Sequence, residues 1–124
     1  MRLQVILTLV TTILIAPSAY AMSGAEISNL ITDKKVILET SYGKFPLRYR
    51  VDKSVTGDGR KTGLARFFAP KETGNWWVRS NSLCQRWPTW YDGKAFCFKV
   101  EKISSNKIRW IRDDGYSGTA VISN

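Results

Sequence analysis

Phe45-Pro46-Leu47-Arg48-Tyr49-Arg50-Val51 is the stretch on which the fold turns. Phe45, Leu47, Tyr49 and Val51 alternate with Pro46, Arg48 and Arg50, the period of two that sends successive side chains to opposite faces of a half-buried strand. Pro46 has no N–H to donate, which puts it at a strand start or on an edge. Working upstream, residues 36–40 form a second β-rich run after a polar break at 32–35. Downstream, residues 64–69, 76–79, 83–87, 96–103, 108–112 and 116–122 read as further strands. Between them lie turn-rich segments at 56–63, 70–74, 80–82, 104–106 and 113–115. Residues 76–79 and 83–87 are expected to pair as a hairpin about 80–82.

Ahead of all these strands, Ser23 with Glu26 three residues later is a capping box. Ala25, Ile27, Leu30 and Ile31 continue with helical spacing, so one short helix over 23–31 is expected to open the domain. A parallel sheet would need crossover helices, and none is visible after Ile31. The expectation is a mainly β domain: one N-terminal helix followed by a small antiparallel meander curled into a barrel or a sandwich.

The first 21 residues have a different character. Met1-Arg2 is a basic start, and residues 3–16 are apolar apart from Gln4, Thr8, Thr11 and Thr12. Pro17 breaks the run, and Ala19-Tyr20-Ala21 has the small-x-small pattern of a signal-peptidase site. The expected organisation is a signal peptide at 1–21 and a single β-rich domain at 22–124 with one disulfide, periplasmic or secreted, with no transmembrane span after cleavage. Cleavage would leave 103 residues and remove Arg2 as the only charge, taking the net charge from +9 to +8. A domain of that size buries little more than about 60% of its unfolded surface, so a covalent staple is useful to it. Cys84 and Cys97 close a ring of 14 residues between adjacent strands and are expected to supply it.

Composition also excludes chemistry. With no His, the triads and most zinc sites that depend on imidazole are ruled out, and no metal-binding set is expected. Gly57, Gly59 and Gly63 with Lys61 and Thr62 lack the Gly-Lys-Ser/Thr triplet of a phosphate loop, so no nucleotide or other cofactor is expected. Asp113 and Asp114 precede Gly115 and read as turn residues. Glu39, Asp52, Glu72 and Glu101 have no spacing that pairs two of them for acid-base work. The chain is therefore not expected to be an enzyme.

Its distinguishing features are charge and aromatics. Trp76, Trp77, Trp87, Trp90, Tyr91 and Trp110 fall within 35 positions. Strand alternation puts Trp76 and Trp77 on opposite faces, so Trp77 is a candidate exposed contact. Trp90 and Tyr91 lie in the loop 88–94 inside the disulfide ring, either as partner contacts or as a lid on the barrel end. Arg48, Arg50, Arg60 and Lys61 are the leading basic contact candidates. Together these features point to a non-catalytic binding module for an anionic envelope polymer or an extracytoplasmic protein. The alternative is a small hydrolase inhibitor acting through loop 88–94. Nucleic acid is poorly matched to export.

The motif order Gly74-x-Trp76-x-Val78, Leu83-Cys84-x-x-Trp87, Cys97-Phe98-x-Val100 and a closing 115–122 segment resembles a family of small secreted Gram-negative bacterial proteins of unknown function. The resemblance spans residues 22–124. It implies a secreted, disulfide-containing β-rich fold and brings no catalytic residues.

Overall fold

A computed structural model describes residues 4–14, 20–61 and 70–124, without the side chain of Lys61. Residues 4–14 have no regular structure and expose their Leu, Ile and Val side chains. The ordered elements begin with β1 (Tyr20–Ala21) and α1 (Gly24–Ile31), continue through β2 (Lys34–Thr40), β3 (Gly43–Tyr49) and β4 (Ser54–Asp58), and reach a 3-10 turn at Gly59–Lys61. Then follow β5 (Lys71–Arg79), β6 (Ser82–Arg86), a 3-10 turn at Trp90–Gly93, β7 (Phe96–Lys102), β8 (Lys107–Arg112) and β9 (Ser117–Ser123).

Strands β2 to β9 pair antiparallel in sequence order, and β9 returns to β2, with Val36 opposite Ile122. The eight strands therefore close into an up-and-down barrel, and of the two expected architectures the sandwich is excluded. Closure gives every barrel strand two neighbours. An eight-stranded barrel has an interior just wide enough for side chains or one small ligand.

The helix does not open the domain as expected. Ala21 and Tyr20 pair with Glu101 and Lys102 of β7, and the Met22 N–H donates to the Val100 carbonyl at 2.8 Å. The physical reason lies in β6, whose pairing with β7 ends at Leu83 and Phe98, leaving the far end of β7 to a new partner. After β1, the capping box forms as read. The Glu26 N–H donates to Ser23 Oγ at 3.2 Å, and the Ser23 N–H donates to Glu26 Oε1 at 3.1 Å. An eight-residue helix is marginal alone. Ile27 and Ile31 are fully buried, worth together about 3–6 kcal/mol, so tertiary packing holds α1 across one barrel end. Asn81 Oδ1 accepts from the Gly24 N–H at 2.9 Å and ties the helix start to the β5–β6 turn.

The alternation that begins at Phe45 ends at Tyr49, and Val51 lies 69% exposed in the β3–β4 turn. Pro46 pairs with Ile37 of β2, while pairing to β4 starts only at Leu47, so its missing donor faces no partner strand. The β5–β6 hairpin forms about Ser80 and Asn81, both at positive φ, the primed geometry that suits strand twist. Two expected turns are corrected. Residues 56–58 belong to β4 and residues 71–74 to β5, because Gly57 and Gly74 serve close packing rather than chain reversal. A Cβ on Gly74 would stand 2.3 Å from the Arg86 carbonyl oxygen. The strand expected at 64–69 lies outside the described residues.

Candidate functional site

Closure sends one face of every strand inward. Val36 and Leu38 from β2, Leu47 and Tyr49 from β3, Leu83 and Gln85 from β6, Phe96, Phe98 and Val100 from β7, and Ile108 and Trp110 from β8 surround a cavity of about 190 Å³. Its lining is mostly apolar, with a few polar groups. The Tyr49 hydroxyl donates to Gln85 Oε1 at 2.5 Å, and burial pushes the phenol above its ordinary range. Gln85 is only 8% exposed, and among the described residues its amide makes this hydrogen bond and no other. Thr40 turns its hydroxyl to the Gly43 carbonyl at 2.6 Å, closing the β2–β3 hairpin.

The end opposite α1 is the mouth, crossed by the loop between β6 and β7. Trp87 is buried and packs at a tilt against Trp90, 4.5 Å between ring centroids, and Trp90 meets Phe45 edge-on at 5.7 Å. The Trp90 ring lies over Gly57, where a Cβ would come within 2.9 Å of it. Glu72, at the rim on β5, holds this loop down. Its carboxylate accepts from the Thr89 hydroxyl and from the Thr89 and Trp90 N–H groups, each N–H at 3.3 Å. On the other side Arg86 Nε donates to the Gly93 carbonyl at 2.7 Å.

Arg112 completes the mouth and lines the cavity. Its guanidinium lies 4.4 Å from the Phe96 ring centroid, 4.7 Å from Tyr116 and 5.4 Å from Tyr91. It grips Asp114 through two 2.7 Å hydrogen bonds, which hold the Asp114 carboxyl below the usual carboxylate range and raise the guanidinium further. Beyond the Arg-x-Asp spacing around a turn, no local pattern marks this caged cation.

The sequence-predicted residues do not gather into one site. Cys84 and Cys97 are directly opposite on β6 and β7 and are disulfide-bonded. Trp77 is outward, half-buried, and paired with Cys84. Of the loop pair, Trp90 packs against the core while Tyr91 is 57% exposed. Arg48 is on the outer face of β3, directly opposite Lys35, and with Lys71 the two line a shallow groove that also contains Asp58. Arg50 Nη1 donates to Thr56 Oγ1 at 3.1 Å. Arg60 is committed to a bidentate pair with Asp58 at 2.9 and 3.0 Å. The side chain of Lys61 lies outside the described residues. Gln85 and Arg112 are the interior groups that sequence reasoning missed.

Among the described residues no three His, Cys, Asp or Glu side chains gather to hold a metal, and no helix is long and apolar enough to cross a membrane. No protein-family model matches the chain, and no curated protein or solved structure matches it.

Proposed function

We propose that the chain is a non-catalytic binding module whose ligand site is the barrel interior beneath the stapled loop. The observation that carries this reading is the cavity of about 190 Å³ inside a closed barrel. An apolar cavity of about 150 Å³ is enough to admit benzene. By the relation of about 24 cal/mol per Å³, an empty space of this size costs on the order of 4–5 kcal/mol, part of which an occupant returns. Entry is at the mouth, where Tyr91 is exposed and Phe96 and Arg112 reach the lining.

Thermal unfolding in the presence of isopropylbenzene tests the reading. Ligand that binds only the folded state stabilises by about 2.7 kcal/mol at a hundredfold excess over Kd. The melting temperature should rise with concentration, and Leu38→Phe, which fills part of the cavity, should remove the rise. A melting temperature indifferent to the compound in the unaltered protein refutes the reading.

A second reading has its own observation, the juxtaposition of Lys35, Arg48 and Lys71 on one outer groove. None of the three is in an ion pair with a described carboxylate. This favours contact with an anionic envelope polymer, with attraction screened beyond about 8 Å at physiological salt. Retention on dextran sulfate should fall steeply with salt and be lost in a Lys35→Glu, Arg48→Glu variant; salt-independent retention rules it out. For the inhibitor reading, loop 88–94 offers a partner Tyr91 rather than an aromatic pair.

A further inference from the structure

Gln85 is a buried amide with spare hydrogen-bonding capacity inside an otherwise greasy chamber. Its Oε1 is taken by the Tyr49 hydroxyl, which leaves both Nε2 protons without a partner among the described residues. The nitrogen is not sealed off, so the cost arises on binding: an occupant that covers it without offering an acceptor leaves a buried donor unpaired, and one that supplies an acceptor avoids that. The indole N–H groups of Trp90 and Trp110 are also unpaired, but both nitrogens are sealed by their neighbours and offer an occupant nothing. Gln85, in contrast, lines the cavity itself.

Charge narrows the occupant further. Among the described residues Arg112 is the charged group of the lining, and Asp114 already neutralises it through two hydrogen bonds. An ionised ligand would enter a low-dielectric chamber with no counter-charge free to meet it among the described residues, which desolvation penalises heavily. Volume sets the remaining limit: about 190 Å³ accommodates one six-membered ring with a small substituent and little more.

We infer that the barrel takes an uncharged, ring-sized apolar molecule carrying one carbonyl or ether oxygen, and that Gln85 Nε2 donates to that oxygen. This rests on the cavity being the ligand site. The Tyr49–Gln85 hydrogen bond then has a positioning role, since it fixes the amide with its oxygen occupied and its N–H groups available. A ligand that offered only apolar surface would leave those donors buried and unpaired, so the site discriminates by an unmet hydrogen bond rather than by shape.

Dissociation constants for acetophenone, isopropylbenzene and benzoate, measured by calorimetry on the disulfide-bonded protein, test this. The first two have the same heavy-atom skeleton and differ in a carbonyl oxygen against a methyl group. Acetophenone should bind about tenfold more tightly than isopropylbenzene, the ratio expected of one recovered buried hydrogen bond. Benzoate should bind more weakly than acetophenone. In Gln85→Leu combined with Tyr49→Phe, which removes the hydroxyl that the loss of the amide would otherwise free to donate, the ketone preference should disappear while isopropylbenzene still binds; should that variant fail to fold, Gln85→Met with Tyr49→Phe serves the same purpose. Equal affinities for ketone and hydrocarbon, a preference that survives removal of the amide, or tighter binding of benzoate each overturns the inference, the last in favour of anion recognition at Arg112. Hydrocarbon binding without ketone preference defeats this inference alone, whereas no binding by any of the three defeats the cavity reading and this inference with it.

Discussion

Replacing Trp90 with Ala separates the two roles that the loop aromatics can have. Trp90 packs at a tilt against Trp87, meets Phe45 edge-on and covers Gly57, so its loss opens the barrel end. Truncating a fully buried Trp costs about 3–5 kcal/mol. Trp90 is half-buried, and its indole N–H is sealed without a partner, so removing it also relieves an unmet donor. Both effects lower the cost, to about 2–3 kcal/mol, and a domain near 100 residues loses roughly 4–8 °C per kcal/mol, giving a fall of about 10–20 °C. Tyr91, mostly exposed and touching Phe96 and Arg112 at the rim, should cost under about 1 kcal/mol as Tyr91→Ala. Thermal and urea unfolding of the two single variants, with Trp90→Phe as the ring-retaining control, give the comparison. A Trp90→Ala loss below about 1 kcal/mol, or one matched by Tyr91→Ala, refutes the view that Trp90 belongs to the core and Tyr91 to the surface.

Cys84→Ser with Cys97→Ser opens a 14-residue ring and should cost on the order of 3 kcal/mol, read as a lower urea midpoint that reduction no longer moves. Gly74→Ala should destabilise far more than a surface substitution, because the new methyl group meets backbone at Arg86 rather than a flexible side chain; stability unchanged by that methyl would discredit the packing. The Asp114 carboxyl is lowered in the folded state chiefly by its hydrogen bonds to Arg112, and Asp52 by those from Ser54. Their contribution is therefore present above the unfolded carboxylate range of about pH 4 and is lost as pH falls through the depressed values. The acid limb of a stability-versus-pH curve should be shallower in Asp114→Asn. Intact-mass measurement on exported protein should show loss of residues 1–21; such cleavage removes β1 while keeping Met22, whose nitrogen donates to Val100.

The capping box at Ser23 and Glu26, the alternation from Phe45 to Tyr49 and the turn at Ser80 and Asn81 were legible because each is a bargain between residues a few positions apart. The disulfide was legible for the same reason, with two cysteines on adjacent strands of one hairpin. Gly57 and Gly74 misled because a glycine that makes room for a distant ring or carbonyl looks, in sequence, like a glycine that reverses the chain. The sequence left barrel and sandwich both open, because the choice depends on β2 meeting β9, where Val36 and Ile122 lie far apart along the chain. Only the tertiary structure could turn Trp90 inward and Tyr91 outward, since both share the same local loop and differ in what stands opposite them. Nor could any local pattern single out Gln85, an ordinary polar position on β6, as an amide that lines the cavity. Local sequence sets period, caps and turns; which inward-facing groups find partners is decided by the strands that closure brings across the barrel.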